Sequence, residues 1–118
     1  MIVSAEPVLA IEETLERMSG DKELLVNLFA LYQTDAPKKL ENIAQSAAET
    51  DYVLVGRLAH SLKGASATVG AARMCQLAIA LEQAAKASDS AAVAQKLEAI
   101  REACADTLEE MRRFASGN

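Results

Sequence analysis

The chain has 118 residues, which is typical of one domain and too short for two domains of comparable size. Its composition is rich in Ala, Leu and Glu, with 3% aromatic residues and only two prolines, and this favours an all-helical protein over a sheet. The formal net charge of -5 and the lack of a Lys/Arg run argue against a nucleic-acid-binding surface, so proteins or small molecules are the expected partners.

The termini and cysteines indicate a cytoplasmic protein. The N-terminal stretch MIVSAEPVLAIEE lacks the basic segment and long apolar run of a signal peptide, and no apolar run approaches the roughly 20 residues that cross a bilayer. Cys75 and Cys104 form no close pair, and one histidine cannot complete a zinc set with them, so both are expected as small apolar residues at or beside the core.

Two helices are predicted in the first half of the chain. A short helix runs from about Pro7 to Met18 and is ended by Gly20. Asp21 caps a much longer helix that extends to about Thr50. Its apolar stripe keeps the same phase on both sides of Pro37, which predicts a kink in that helix rather than a break.

Three further helices follow. The third begins near Asp51 and ends at Ala67 or Thr68, and Gly70 marks the turn into a fourth that fades at KASDS. The last starts after a Ser or Asp cap in SDSAAV and ends by ASGN. Because each long helix has one apolar face, the sequence predicts an all-α antiparallel four-helix bundle with an additional short N-terminal helix, as one domain of residues 1–118.

The chain's one histidine, His60, lies in the third predicted helix. At about 100° per residue, Val55 and Leu62 fall on the side opposite the imidazole, which predicts that the core lies behind it and that His60 is exposed. Gly56 and Gly64 lie four residues before and after His60, where each costs about 1 kcal/mol relative to alanine. Gly64 therefore suggests a surface without side chains that would hinder an approaching molecule, whereas Gly56 fits either that role or close packing of helices.

The residue types around the histidine fit phosphoryl chemistry. A neutral imidazole is a nucleophile at neutral pH, whereas serine or lysine needs a base or a lowered pKa. Arg57 and Lys63, three residues to either side of His60, could stabilise a dianionic phosphoryl group, although each alone also fits a solvated helix surface, and Arg57 is a candidate partner contact only. Ser61 and Ser66 have no Asp/His relay, and no P-loop or metal-ligand cluster occurs.

The stretch HSLKG followed by ASATVG resembles the phosphoacceptor motif of histidine-containing phosphotransfer (HPt) domains. That motif has a histidine, any residue, an aliphatic residue, Lys, Gly, then mainly small residues and a second Gly. The positions that match are His60, Leu62, Lys63, Gly64 and Gly70. The resemblance continues in SGDKELLVNLFALYQTDAPKKLENI before the motif and CQLAIALEQAA after it, so it covers nearly the whole chain.

The resemblance implies a four-helix bundle whose exposed His60 takes a phosphoryl group on Nε2 from a receiver-domain phospho-aspartate and returns it to another receiver aspartate. Lys63 would hold or neutralise the phosphoryl oxygens, and Gly64 would let the partner approach. Glu82, with Gln83 as a weaker candidate, matches the position that often hydrogen-bonds the other ring nitrogen. Some members have Gln there, so Glu82 could orient the ring or be a surface residue.

The sequence therefore predicts a phosphorelay intermediate with no cofactor, no ATP-binding site and no kinase activity of its own. Its implied partners are response-regulator receiver domains, which would hold the Mg²⁺, and a hybrid sensor histidine kinase. A monomer without membrane insertion is expected, docking through the face around His60, with Val53 and Ala67 at the same helical phase. Two alternatives stay open, the phosphoacceptor domain of a chemotaxis-type kinase and a helical adaptor that carries no phosphate.

Overall fold

A computed structural model describes residues 6–117 and contains, in that range, five helices and no strand. The helices are α1 (Ile11–Arg17), α2 (Lys22–Ala48), α3 (Tyr52–Thr68), α4 (Ala72–Lys86) and α5 (Ser90–Ala115). The predicted all-α fold with a short N-terminal helix is confirmed. The predicted domain also takes in residues 1–5 and 118, which lie outside the described part. No helix within residues 6–117 combines the length and apolar character that crossing a bilayer requires.

Aspartate side chains begin three of the four long helices, as predicted for α2. Asp21, Asp51 and Asp89 each accept a hydrogen bond from the backbone N–H three residues later, at 3.0 to 3.2 Å. Each such cap stabilises its helix by about 1 kcal/mol. Helix α2 runs unbroken through Pro37, although the proline has no N–H to donate to the carbonyl of Gln33.

The four long helices form a ring in which neighbours along the chain are neighbours in space. Helix α3 packs against α2 and α4, and α5 packs against α4 and α2. The α3–α4 face therefore lies opposite the α2–α5 face. At 1.5 Å per residue the 27-residue α2 is about 40 Å long, which accounts for the 42 Å length of the molecule. The largest fully buried apolar side chains are Phe29, Leu25, Ile43, Leu62, Met74, Leu81, Ile100, Met111, Val55 and Val93.

The N-terminal segment differs from its predicted form. Helix α1 begins at Ile11 rather than near Pro7. The carbonyl of Pro7 accepts the N–H of Arg73, and the N–H of Ala10 donates to the carbonyl of Gly70. These backbone groups pair with the turn between α3 and α4 and with the start of α4, so residues 7–10 are not helical and α1 lies at that end of the bundle.

Gly70, in the turn between α3 and α4, combines a left-handed backbone conformation with a crowded environment. Its φ is +75°, and a Cβ there would overlap the hydroxyl of Thr14 and lie 3.3 Å from the carbonyl oxygen of Ala10. The Thr14 hydroxyl donates to that same carbonyl at 2.7 Å, so it cannot turn aside without losing a hydrogen bond.

We therefore expect Gly70→Ala to lower the free energy of unfolding by about 2 to 4 kcal/mol, from left-handed backbone strain and overlap with Thr14. Gly64→Ala is the matched control, because Gly64 lies inside α3 with open space around its Cα. That change should raise the free energy of unfolding by about 0.5 to 1 kcal/mol. Urea denaturation of the two variants checks both values, and equal effects would contradict this account of Gly70.

Candidate functional site

His60 lies near the middle of α3 with its side chain 62% exposed. Ala59, one residue before His60, and Leu62, two residues after it, are completely buried. The helical phase predicted from the sequence thus agrees with the structure, since the core lies behind the imidazole. The exposed ring is open to an approaching molecule.

The structure brings Glu82 of α4 to the imidazole. The Nδ1 atom of His60 lies 3.2 Å from Oε2 and 3.4 Å from Oε1 of that carboxylate, whose side chain is only 14% exposed. A carboxylate only accepts hydrogen bonds, so in this pair Nδ1 is the donor and Nε2 keeps its lone pair in a neutral ring. Gln83 is exposed, and within residues 6–117 the ring pairs with Glu82 instead.

Two lysines flank the same carboxylate. Lys63 Nζ of α3 lies 3.9 Å from Oε1, and Lys86 Nζ of α4 lies 3.5 Å from Oε2. Burial raises the pKa of Glu82, but attraction to His60, Lys86 and Lys63 outweighs it and leaves the pKa below its usual value. Glu82 is therefore ionised at neutral pH. Lys86 is not among the residues predicted from the sequence, although its position four residues after Glu82 is the spacing of a helical ion pair.

The two glycines of α3 have different environments. Gly64 is exposed and has open space where a side chain would be. Gly56 is buried, and a Cβ there would lie 3.8 Å from the Cβ of Ala85 in α4. Gly56 thus faces the packed side of α3, not the bare surface, because α4 lies against that flank of the helix.

A groove of about 550 Å³ opens beside His60, between the N-terminal half of α3 and the C-terminal half of α4. It is lined by Tyr52, Val53, Gly56, Arg57, His60, Glu82, Ala85, Lys86 and Ser88. Val53 is 70% exposed and shares this groove with His60. Ala67, the other residue expected at the docking face, lines a separate groove beneath α1, where its carbonyl accepts a hydrogen bond from Arg17.

The other serine and cysteine residues considered from the sequence include Ser66 and the two cysteines, which lie in or beside the interior. The hydroxyls of Ser66 and Tyr32 lie 2.7 Å apart in the interior, and burial raises the pKa of Tyr32. Cys104 is buried and Cys75 half-buried, as predicted for small apolar residues beside the core. Among residues 6–117, no three His, Cys, Asp or Glu side chains cluster closely enough to hold a metal ion.

Fold and site together define a helical bundle that presents one exposed histidine, oriented by a carboxylate of the next helix. A family model described as the Hpt domain matches residues 27–113, which include His60, Lys63, Gly64 and Glu82. The chain belongs to the Hpt domain family, whose members carry out histidine phosphotransfer in phosphorelays and interact with receiver domains of two-component systems. No curated protein and no solved structure matches the chain with significance.

The lowered pKa of Glu82 predicts a pH-dependent contribution to stability. A carboxyl whose folded-state pKa lies below its unfolded value of about 4.5 stabilises the fold above that pH, and the contribution disappears as the pH falls through the lowered pKa. The free energy of unfolding of Glu82→Gln should therefore lie further below that of the wild type at pH 7 than at pH 3. Urea unfolding at both pH values measures the gap, and a gap that stays constant would contradict the ion-pair account.

Proposed function

We propose that this protein is a phosphorelay intermediate in which Nε2 of His60 accepts a phosphoryl group from a receiver-domain phospho-aspartate and delivers it to the aspartate of another receiver. The observation that carries the proposal is the state of the ring. Nδ1 lies 3.2 Å from the Glu82 carboxylate, and the imidazole side chain is 62% exposed on a bundle of the Hpt family. With its proton on Nδ1, the ring has the lone pair of Nε2 available to a second protein.

The transfer balances without a nucleotide. The Nε2 lone pair attacks phosphorus, the P–O bond to the donor aspartate breaks, and that aspartate leaves as a carboxylate. The phosphorylated ring keeps its proton on Nδ1 and carries a positive charge, which ionised Glu82 stabilises from 3.2 Å. In the second step a receiver aspartate attacks phosphorus, the P–N bond breaks, and Nε2 regains its lone pair.

Lys63 and Lys86 give the site its positive charge. Both ammonium groups lie beside Glu82 in the unphosphorylated protein, and Lys63 comes from the same helix as His60, one turn away. A phosphoryl dianion on Nε2 would attract them more strongly than one carboxylate does, because it carries more charge. We assign Lys63 the role of neutralising the phosphoryl oxygens. Gly64 leaves the next turn of α3 bare for the partner.

Magnesium belongs to the receiver in this proposal, because binding Mg²⁺ takes free carboxylates and the His60 site offers one, Glu82, which is already paired. The protein itself would use no cofactor and have no ATP-dependent activity. We further propose that it acts as a monomer in the cytoplasm, where receivers and hybrid sensor kinases display their aspartates.

The first test is labelling of His60. Wild-type protein incubated with isolated receiver domains that carry radiolabelled phosphoryl groups should acquire an acid-labile, alkali-stable label. His60→Gln should acquire none, while Ser61→Ala should be labelled like the wild type because that hydroxyl has no part in the transfer. Circular dichroism checks that the variants fold. Label from no receiver, under conditions in which a known phosphorelay works, would refute the proposal, and label only from a kinase with ATP would favour the chemotaxis-type alternative.

The second test concerns Glu82 as a positioning residue. Glu82→Ala should slow labelling of His60 about tenfold, since one charge-assisted hydrogen bond to the ring is lost. Glu82→Gln keeps an amide oxygen that can accept from Nδ1, so it should recover much of the rate. Nitrogen-15 NMR of the neutral ring should show the proton on Nδ1 in the wild type and a shift toward Nε2 in the alanine variant. Unchanged tautomer populations would contradict this role.

A further inference from the structure

The groove beside His60 combines apolar walls with a cationic rim. Val53 is its most exposed apolar wall, and Gly56 and Ala85 contribute small groups to its lining. Arg57 and Lys86 supply two positive charges against the single carboxylate of Glu82. Within residues 6–117 no carboxylate lies in ion-pair distance of Arg57. The groove is therefore locally positive on a chain whose formal net charge is -5.

The groove also lies at the right distance from the nucleophile. Val53 precedes His60 by seven residues, which is two helical turns and about 10 Å along nearly the same line of α3. A standard interface covers about 800 Å² on each partner, a patch roughly 30 Å across. A protein that brings an aspartate to Nε2 of His60 can therefore also contact Val53 and Arg57.

The other end of α3 offers a less suitable surface. The groove there is lined by Glu6, Glu13 and Arg17 from the N-terminal segment and α1, together with Ile79 of α4. Its two carboxylates would repel an acidic partner, and the Arg17 side chain lies against the Ala67 carbonyl at 3.3 Å. Charge thus distinguishes two grooves that flank the same histidine.

We propose that the groove between Val53 and Lys86 is the specificity-determining part of the receiver-docking surface. It takes an apolar side chain of the receiver against Val53, while carboxylates at the rim of the receiver's Mg²⁺-binding pocket meet Arg57. The occupant is a receiver domain, because that partner must combine an acidic pocket with an aspartate that reaches His60. This inference rests on the proposed phosphorelay function and adds to it the residues that select the partner.

Paired variants test the proposal. Val53→Asp should slow phosphoryl transfer from phosphorylated receiver domains about tenfold or more, because it places a carboxylate where an apolar contact is expected. Its control is Ile79→Asp, which makes the same change in the groove beneath α1 and should stay within about twofold of the wild type. Both side chains are exposed, so the fold should tolerate either change.

A second pair of variants tests the electrostatic contribution of Arg57. Arg57→Gln should lower the second-order rate constant a few-fold and weaken its dependence on salt concentration, since rim charges act chiefly on association. Arg101→Gln removes a charge from the α2–α5 face on the other side of the bundle and should leave both quantities unchanged. Circular dichroism of all four variants checks the fold.

A small donor separates docking from chemistry. Phosphoramidate phosphorylates histidine without a receiver, so it should label the wild type and all four variants equally. If receivers label the wild type, Val53→Asp and Arg57→Gln at the same rate, the docking proposal is overturned and the proposed function stands. If phosphoramidate labels His60 but no receiver labels the wild type, both proposals are overturned.

Discussion

The close packing of α3 on α4 is the constraint on which the site depends. Glu82 reaches the imidazole only because the two helices approach closely, and they do so where small residues face each other. Gly56 and Ala85 meet at that contact, and Ala59 and Ala78 are completely buried on the same two helices. Helices that pack through small residues lie at the short end of the usual 8 to 10 Å range of axial separations. A larger side chain at this contact would force α4 outward and carry Glu82 away from Nδ1.

The carboxylate of Glu82 is surrounded by groups that compensate its charge. Glu82 is mostly shielded from water, but three hydrogen-bonding or cationic groups surround it, which offsets the cost of its burial. Because the two nitrogens lie on opposite sides of the ring, a phosphoryl group on Nε2 would not face the carboxylate directly. In the proposed transfer, the same carboxylate would orient the ring beforehand and stabilise its positive charge afterwards, with Lys63 and Lys86 close to both anions.

The sequence predicted the fold and the exposure of His60 because both follow from periodicity within single helices. The apolar face of α4 follows from residue spacing, and the cap at Asp21 follows from an aspartate that precedes a helical pattern. The phase of one helix, however, does not say which neighbour lies on each flank. For that reason the sequence does not distinguish a bare surface from helix packing at Gly56, and it does not predict the groove beside Val53. Likewise the non-helical path of residues 7–10 depends on pairing with Gly70 and Arg73, far along the chain.

In the proposed relay, selectivity would reside in the docking surface, because the reactive atoms are the same for every receiver. Every receiver offers the same acyl phosphate to the same imidazole, and the energy of transfer is carried by the donor. In that relay His60, Lys63 and Glu82 would act on groups that all such partners share. Specificity is a difference in affinity, so it would be built from contacts that the docking surface makes with a receiver beyond the reacting aspartate. In that proposal, Val53 next to Arg57 would provide both an attractive contact for a matching receiver and a penalty for one that places a cation or a polar group there.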